Sequence, residues 1–264
     1  MIIYHYILAL VFCLMATVLH AHEIRTATPF KDQLRLNTDF TMYHTKTAYI
    51  DAQTLFSKCQ YKDKLDAGIC LGYLAGAYDV LYSTGHTSRA PLFCLPQKET
   101  VKITWWRDAY VAYYTHLQQQ SATPDVKAAY LFETILTRGL KCKGNSPEPM
   151  TTHYIAPTEF ITLESSTHSY MKINTLKMYC TSEKKEDLSF CHGVLSGIYD
   201  VLYSHHHPKR YKMICTPNDA PLPIEQLRAV FLNEAQKFTN IAFLKGVRAA
   251  RIVEVALRKD HPCD

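Results

Sequence analysis

Catalytic signatures are what this sequence lacks first. It has no G-x-S-x-G elbow, P-loop, H-E-x-x-H pair or dinucleotide fingerprint. Those absences remove the acyl-transfer, nucleotide-dependent and zinc-hydrolase classes that the patterns announce. No nucleophile stands beside a matching base. Lys and Arg nowhere cluster among aromatics, so nucleic-acid binding has no footprint. A net charge of +5 over 264 residues, spread almost evenly, says only that the surface is mildly basic. There is no C-x-x-C pair and no matched Cys/His knuckle, which argues against zinc. His205-His206-His207 stand out, but three consecutive histidines cannot share one face of a helix or strand and read as a solvated loop. The expectation is a protein that is no enzyme and holds neither metal nor cofactor.

Residues 1–21 lack Lys, Arg, Asp and Glu altogether. Ile7 to Leu19 is an apolar run of secretory h-region length, and Leu19-His20-Ala21 offers a small residue for cleavage. The reading is a signal peptide over 1–21 and a periplasmic mature chain. A retained N-terminal anchor is the rival, although the run is marginal for spanning a bilayer. Residues 22–45 are polar, rich in Thr and without sustained period, and read as an N-terminal arm.

What the chain does have is one stretch twice. Cys70-Leu-Gly72-Tyr-Leu74-Ala-Gly76-Ala-Tyr78-Asp79-Val80-Leu81-Tyr82-Ser83 returns as Cys191-His-Gly193-Val-Leu195-Ser-Gly197-Ile-Tyr199-Asp200-Val201-Leu202-Tyr203-Ser204, 121 residues later, with ten of fourteen positions identical. This is an internal duplication. Read as a helix, Cys70, Tyr73, Leu74, Ala77 and Leu81 make an apolar stripe. Gly72, Gly76 and Asp79, like Gly193, Gly197 and Asp200, lie on another face. Glycine inside a helix costs about 1 kcal/mol against alanine, so a pair at this spacing implies close approach of a neighbouring backbone. The buried carboxylate needs a Tyr hydroxyl or backbone donor, or else faces a partner.

The cysteines follow the same offset. Cys59, Cys70, Cys94 and Cys142 become Cys180, Cys191, Cys215 and Cys263. Behind a leader, an even set reads as disulfides in an oxidising compartment. Each repeat then reads as about four helices. The first spans Asp51 to Cys59, followed by a polar turn over Gln60 to Asp66 and the Gly-rich helix ending near Ser83. A helix from about Val101 to Gln118 follows, with Trp105, Trp106, Ala109, Tyr110, Tyr113 and Leu117 on one side. The last helix is started by Thr123-Pro124-Asp125. In the second copy Leu227, Val230, Phe231 and Phe238 match the third helix. No run alternates like a strand, so the fold class is all-α: two tandem disulfide-stapled repeats, 46–142 and 172–264, joined by a Pro-containing linker over 143–171 and packed as a pseudo-symmetric pair. Four cysteines allow three pairings per repeat. Helix order favours Cys59–Cys70 with Cys94–Cys142, and Cys180–Cys191 with Cys215–Cys263. Tyr82 and Tyr203 at the helix ends are expected to be exposed.

The motifs resemble the Tai-type immunity proteins, which neutralise type VI secretion amidase effectors. Cys70, Gly72, Tyr73, Gly76 and Asp79 match that family's C-x-G-Y-x-x-G-x-x-D, and Cys94 with Pro96 its C-x-P. Cys191, Gly193, Gly197, Asp200, Cys215 with Pro217, and Pro262-Cys263 match in the second copy. Val194 stands in place of the motif Tyr, and Lys141 where Pro precedes the last Cys of the first repeat. The resemblance implies a small helical, disulfide-stabilised periplasmic protein whose partner is a cell-wall amidase effector, occluded at its cleft. A periplasmic interaction or assembly module of the same fold, with no toxin partner, is the alternative. The loops 84–93 and 205–214 have diverged most between the copies, and loops on a rigid scaffold usually carry binding. His86, Arg89, His207 and Arg210 are therefore the expected partner contacts.

Overall fold

The computed structural model describes residues 48–82, 93, 102–120, 126–139, 169–203, 214–216, 220–238 and 247–262. Among them are eight α-helices: α1 (Ala52–Cys59), α2 (Lys64–Leu81), α3 (Ile103–Gln119), α4 (Ala128–Gly139), α5 (Ile173–Cys180), α6 (Lys185–Leu202), α7 (Ile224–Phe238) and α8 (Ala249–Asp260). Each helix of the second half begins 121 residues after its counterpart, so the fold is all-α with two similar halves. Disulfides join Cys59 to Cys70 and Cys180 to Cys191, stapling α1 to α2 and α5 to α6.

Local chemistry sets the helix starts. Asp51 caps α1, its carboxylate accepting from the Thr54 N–H at 2.7 Å. Asp63 caps α2 through the Asp66 N–H at 2.8 Å. That cap explains why α2 begins at Lys64, inside the stretch read as a polar turn. The segment preceding α4 pairs with the one preceding α1, bridging Asp51 and Lys127, and α4 begins at Ala128 rather than at Thr123-Pro124-Asp125, which lie outside the described residues.

The two glycine helices pack on each other along their length. A Cβ on Gly72 would lie 2.3 Å from the Phe190 carbonyl oxygen, and one on Gly76 2.1 Å from that of Val194. Reciprocally, a Cβ on Gly193 would lie 2.5 Å from the Ile69 oxygen, and one on Gly197 2.2 Å from that of Tyr73. Ile69 and Phe190 are equivalent positions, as are Tyr73 and Val194, so the interface is isologous. Gly68 extends the stripe beside Ser189, its own equivalent. Contacts advance in the same direction along both helices, which therefore run parallel.

This pairing corrects the two-faced reading of the glycine helix. Every residue from Gly72 to Leu81, and from Gly193 to Leu202, is buried. A helix covered on all sides needs no polar face. The remaining helices wrap the pair, and α4 reaches α6 while α8 reaches α2. On α3, Trp106, Ala109, Tyr110, Tyr113, Tyr114 and Leu117 are buried, whereas Trp105 is half-exposed. On α7 the buried positions are Leu227, Phe231 and Ala235; Val230 and Phe238 are only partly covered.

Candidate functional site

The C-terminal halves of α2 and α6 carry the two motif aspartates, and each is taken up by the opposite repeat. Asp79 accepts from the backbone N–H groups of Tyr170 and Met171 and from the Ser169 hydroxyl, all at 2.9 Å. Asp200 accepts from the N–H of Tyr49 at 2.8 Å and of Ile50 at 3.3 Å, and from the Tyr73 hydroxyl at 2.8 Å. The short segments leading into α1 and α5 are thus clamped by the other repeat's acid. Ser169–Met171, at the end of the stretch read as linker, belong to this clamp.

Each clamp is backed by a cation that also crosses between repeats. Lys127, 1% exposed, lies with its Nζ 5.3 Å from the centre of the Tyr203 ring, and its charge favours ionised Asp200. Its equivalent Arg248 lies over Tyr82 at 5.6 Å and acts likewise on Asp79. Burial outweighs these charges and the hydrogen bonds, pushing both carboxyls up to about 6. Aromatic contacts repeat with the same symmetry: Tyr78 meets Tyr170 edge-on at 4.9 Å, and Tyr199 meets Tyr49 at 4.9 Å. Tyr203 is fully buried under Lys127 and the Tyr199 ring, and Tyr82 is half-buried, so the expectation of two exposed tyrosines is corrected. The helix ends are covered because the opposite repeat's segments fold across them.

The donors divide unequally between the copies. Asp200 draws its hydroxyl from Tyr73 and faces a strap with Ala48; Asp79 draws its hydroxyl from Ser169, in the repeat whose Val194 replaces that tyrosine. Each repeat supplies one hydroxyl to the other by a different route. Tyr73→Phe should therefore cost about 2 kcal/mol, the worth of a hydrogen bond to a charged group. Ala48→Ser added to it should recover a large part. Urea unfolding of the single and double variants checks this, and a double variant no more stable than Tyr73→Phe would contradict the substitution of one donor by the other.

The arrangement binds and orients backbone; it presents no nucleophile with a base. Among the described residues no group of three or more His, Cys, Asp and Glu could hold a metal ion. Sequence reading had marked Asp79 and Asp200 but not Tyr49, Tyr170, Lys127 or Arg248. Tyr49/Tyr170 and the basic pair Lys127/Arg248 keep the 121-residue offset, so extending the repeat comparison beyond the glycine motif would have found them. His86, Arg89, His207 and Arg210, with His205 and His206, lie outside the described residues, as do Cys94, Cys142 and Cys263. Cys215 is disulfide-bonded, and its N–H donates to the His261 carbonyl at 3.0 Å.

A family model for the Rap1a immunity proteins matches residues 51–138 and again residues 172–263. The Tai-type resemblance is thereby met at the level of immunity proteins in tandem. No curated protein and no solved structure matches the chain.

Proposed function

The chain belongs, through each of its two repeats, to the Rap1a immunity proteins, and we propose that it neutralises a peptidoglycan amidase delivered by type VI secretion, covering that enzyme's cleft in the periplasm. The observation that carries this reading is the double family match, which falls on both halves of one interlocked body. The Cys59–Cys70 and Cys180–Cys191 bridges suit an oxidising compartment. No helix among the described residues is long and apolar enough to cross a membrane. A signal peptide over residues 1–21 would deliver the chain there, where Cys94–Cys142 and Cys215–Cys263 would close the remaining bridges. The neighbourhood of Cys215 and His261 supports the second of these.

In this reading the glycine helices are scaffold and the partner is met by the loops they position. Because α2 and α6 run parallel, the ends at Tyr82 and Tyr203 lie at the same end of the pair, and in sequence they are followed by the stretches that contain His86, Arg89, His207 and Arg210. The test is co-expression of the mature chain with an amidase effector encoded beside it. Protection from lysis, and stoichiometric inhibition of peptidoglycan cleavage by the purified pair, are expected. An amidase that neither binds nor slows would refute the reading. Changing the four loop residues to alanine should weaken the complex about tenfold or more, as loss of interface anchors does. Undiminished binding would place the contact elsewhere.

A further inference from the structure

The corner after the first disulfide differs from its copy in a way that structure alone does not require. Tyr61 has φ +49°, the one non-glycine residue with positive φ among those described. For an aromatic L-residue that conformation costs roughly 1–2 kcal/mol. Its ring lies under the guanidinium of Arg107, 4.8 Å away. Tyr61 Oη and Arg107 Nε are both out of solvent, and beyond each other's side chain neither has a further partner. The outer end of the guanidinium contacts Asp108, its own neighbour in sequence, whose side chain is 62% exposed. A contact so exposed holds little energy.

The second repeat shows how the same fold relaxes this corner. Ser182 replaces Tyr61 and spends its hydroxyl on Asp187 at 2.7 Å. Arg228, the equivalent of Arg107, gives its Nε to the Cys180 carbonyl at 2.7 Å and Nη1 to Glu225 at 3.1 Å. In that copy the arginine's Nε is anchored on a backbone carbonyl. In the first the guanidinium lies instead on the ring of a strained tyrosine, and its outer end meets the exposed Asp108 carboxylate.

We propose that Tyr61 and Arg107 form an anchor for an acidic side chain of a protein partner, with Asp108 holding the guanidinium until that carboxylate displaces it. Arg and Tyr are the residue types that concentrate binding energy at interfaces, and a guanidinium fork matches a carboxylate through two parallel hydrogen bonds. The stacked ring restricts the arginine before the partner arrives. The anchor deepens the reading of the chain as an effector-binding protein by naming the chemistry of one contact.

The test uses the full chain, labelled with ¹⁵N-arginine, and a short Glu-containing peptide as probe. Saturable shifts of the Arg107 side-chain signals are expected, with Arg228 unmoved and with no response to the Gln version of the peptide. Tyr61→Ser, which installs the second repeat's residue, should weaken the response about tenfold or more while leaving the chain equally or more heat-stable. No saturable shift, equal shifts at Arg107 and Arg228, acetate acting as well as the peptide, or a Tyr61→Ser variant that melts earlier would each overturn the proposal. None of these outcomes depends on the identity of the effector, so a failure here and a failure of the immunity reading are separately visible.

Discussion

Gly76→Ala is expected to be among the most damaging single-methyl additions in this chain. The new Cβ would lie 2.1 Å from a backbone carbonyl oxygen, with no flexible side chain to give way. Overpacking typically costs about 1–3 kcal/mol, and more where backbone has to move. Alanine's better helix propensity returns only about 1 kcal/mol. A net loss of about 3 kcal/mol corresponds to a melting temperature lower by roughly 6–12 °C for a chain of this size. Gly197→Ala should behave alike, since its methyl would lie 2.2 Å from the Tyr73 oxygen. Gly68→Ala is the comparison: its nearest atoms stand at 3.0 to 3.1 Å, so a shift of their helix by a few tenths of an ångström is all it requires, and a smaller loss is expected. If differential scanning calorimetry ranked the three variants equally, backbone contact between α2 and α6 would be disproved.

Removing a clamp should be as severe. Asp79→Ala leaves the backbone N–H groups of Tyr170 and Met171 without their acceptor, in a site where the aspartate itself is 1% exposed, whereas the Ser169 hydroxyl can still turn to the Met171 carbonyl. Each unsatisfied buried donor costs roughly 1–3 kcal/mol, so a loss of about 4 kcal/mol is expected in chemical denaturation. Hydrogen exchange should localise the damage to residues 169–171 and the start of α5, in the other repeat. Protection lost only around α2 would argue against the exchange of straps.

The same carboxyls set a pH dependence whose sign follows from their raised values. With folded-state values of about 6 against an ordinary 3.8, the folded chain holds these protons longer than the unfolded one as pH rises. The stability each site contributes is therefore complete below about pH 4, declines through about pH 6 and is level above it. The decline amounts to at most about 3 kcal/mol per site. Melting curves from pH 4 to 7 should slope downward more steeply for the native chain than for Asp79→Asn. Equal slopes would show that Asp79 ionises normally.

Much of this was legible from periodicity. The 121-residue offset located every helix pair, because a duplicated unit keeps its cysteines and glycines in register. Gly72, Gly76, Gly193 and Gly197 announced close packing, since nothing else justifies glycine within an apolar helix. Their partner was less apparent, because a glycine stripe does not say which backbone approaches it. The clamp itself was hidden for a different reason. Asp79 and Asp200 are bound largely by backbone N–H groups, which every residue but proline possesses, so the repeat offset marks Tyr49 and Tyr170 as a pair without saying that their N–H groups hold an acid. Tyr203 was misjudged because its cover, Lys127, comes from the other repeat.

The parallel pairing of α2 with α6 also bears on how the chain is made. Residues that meet across that interface are separated by more than a hundred positions, so a long loop closes before either glycine face is covered. At ordinary synthesis rates of about 5–20 residues per second, the second helix follows the first by roughly ten seconds. During that interval the first repeat can cover its glycine helix with α1, α3 and α4, but the face bearing Gly72 and Gly76 has no backbone to lie against. The nascent chain is therefore most exposed to aggregation midway through its production. Truncated or stalled products ending between the repeats should be the species that chaperones and proteases meet most often.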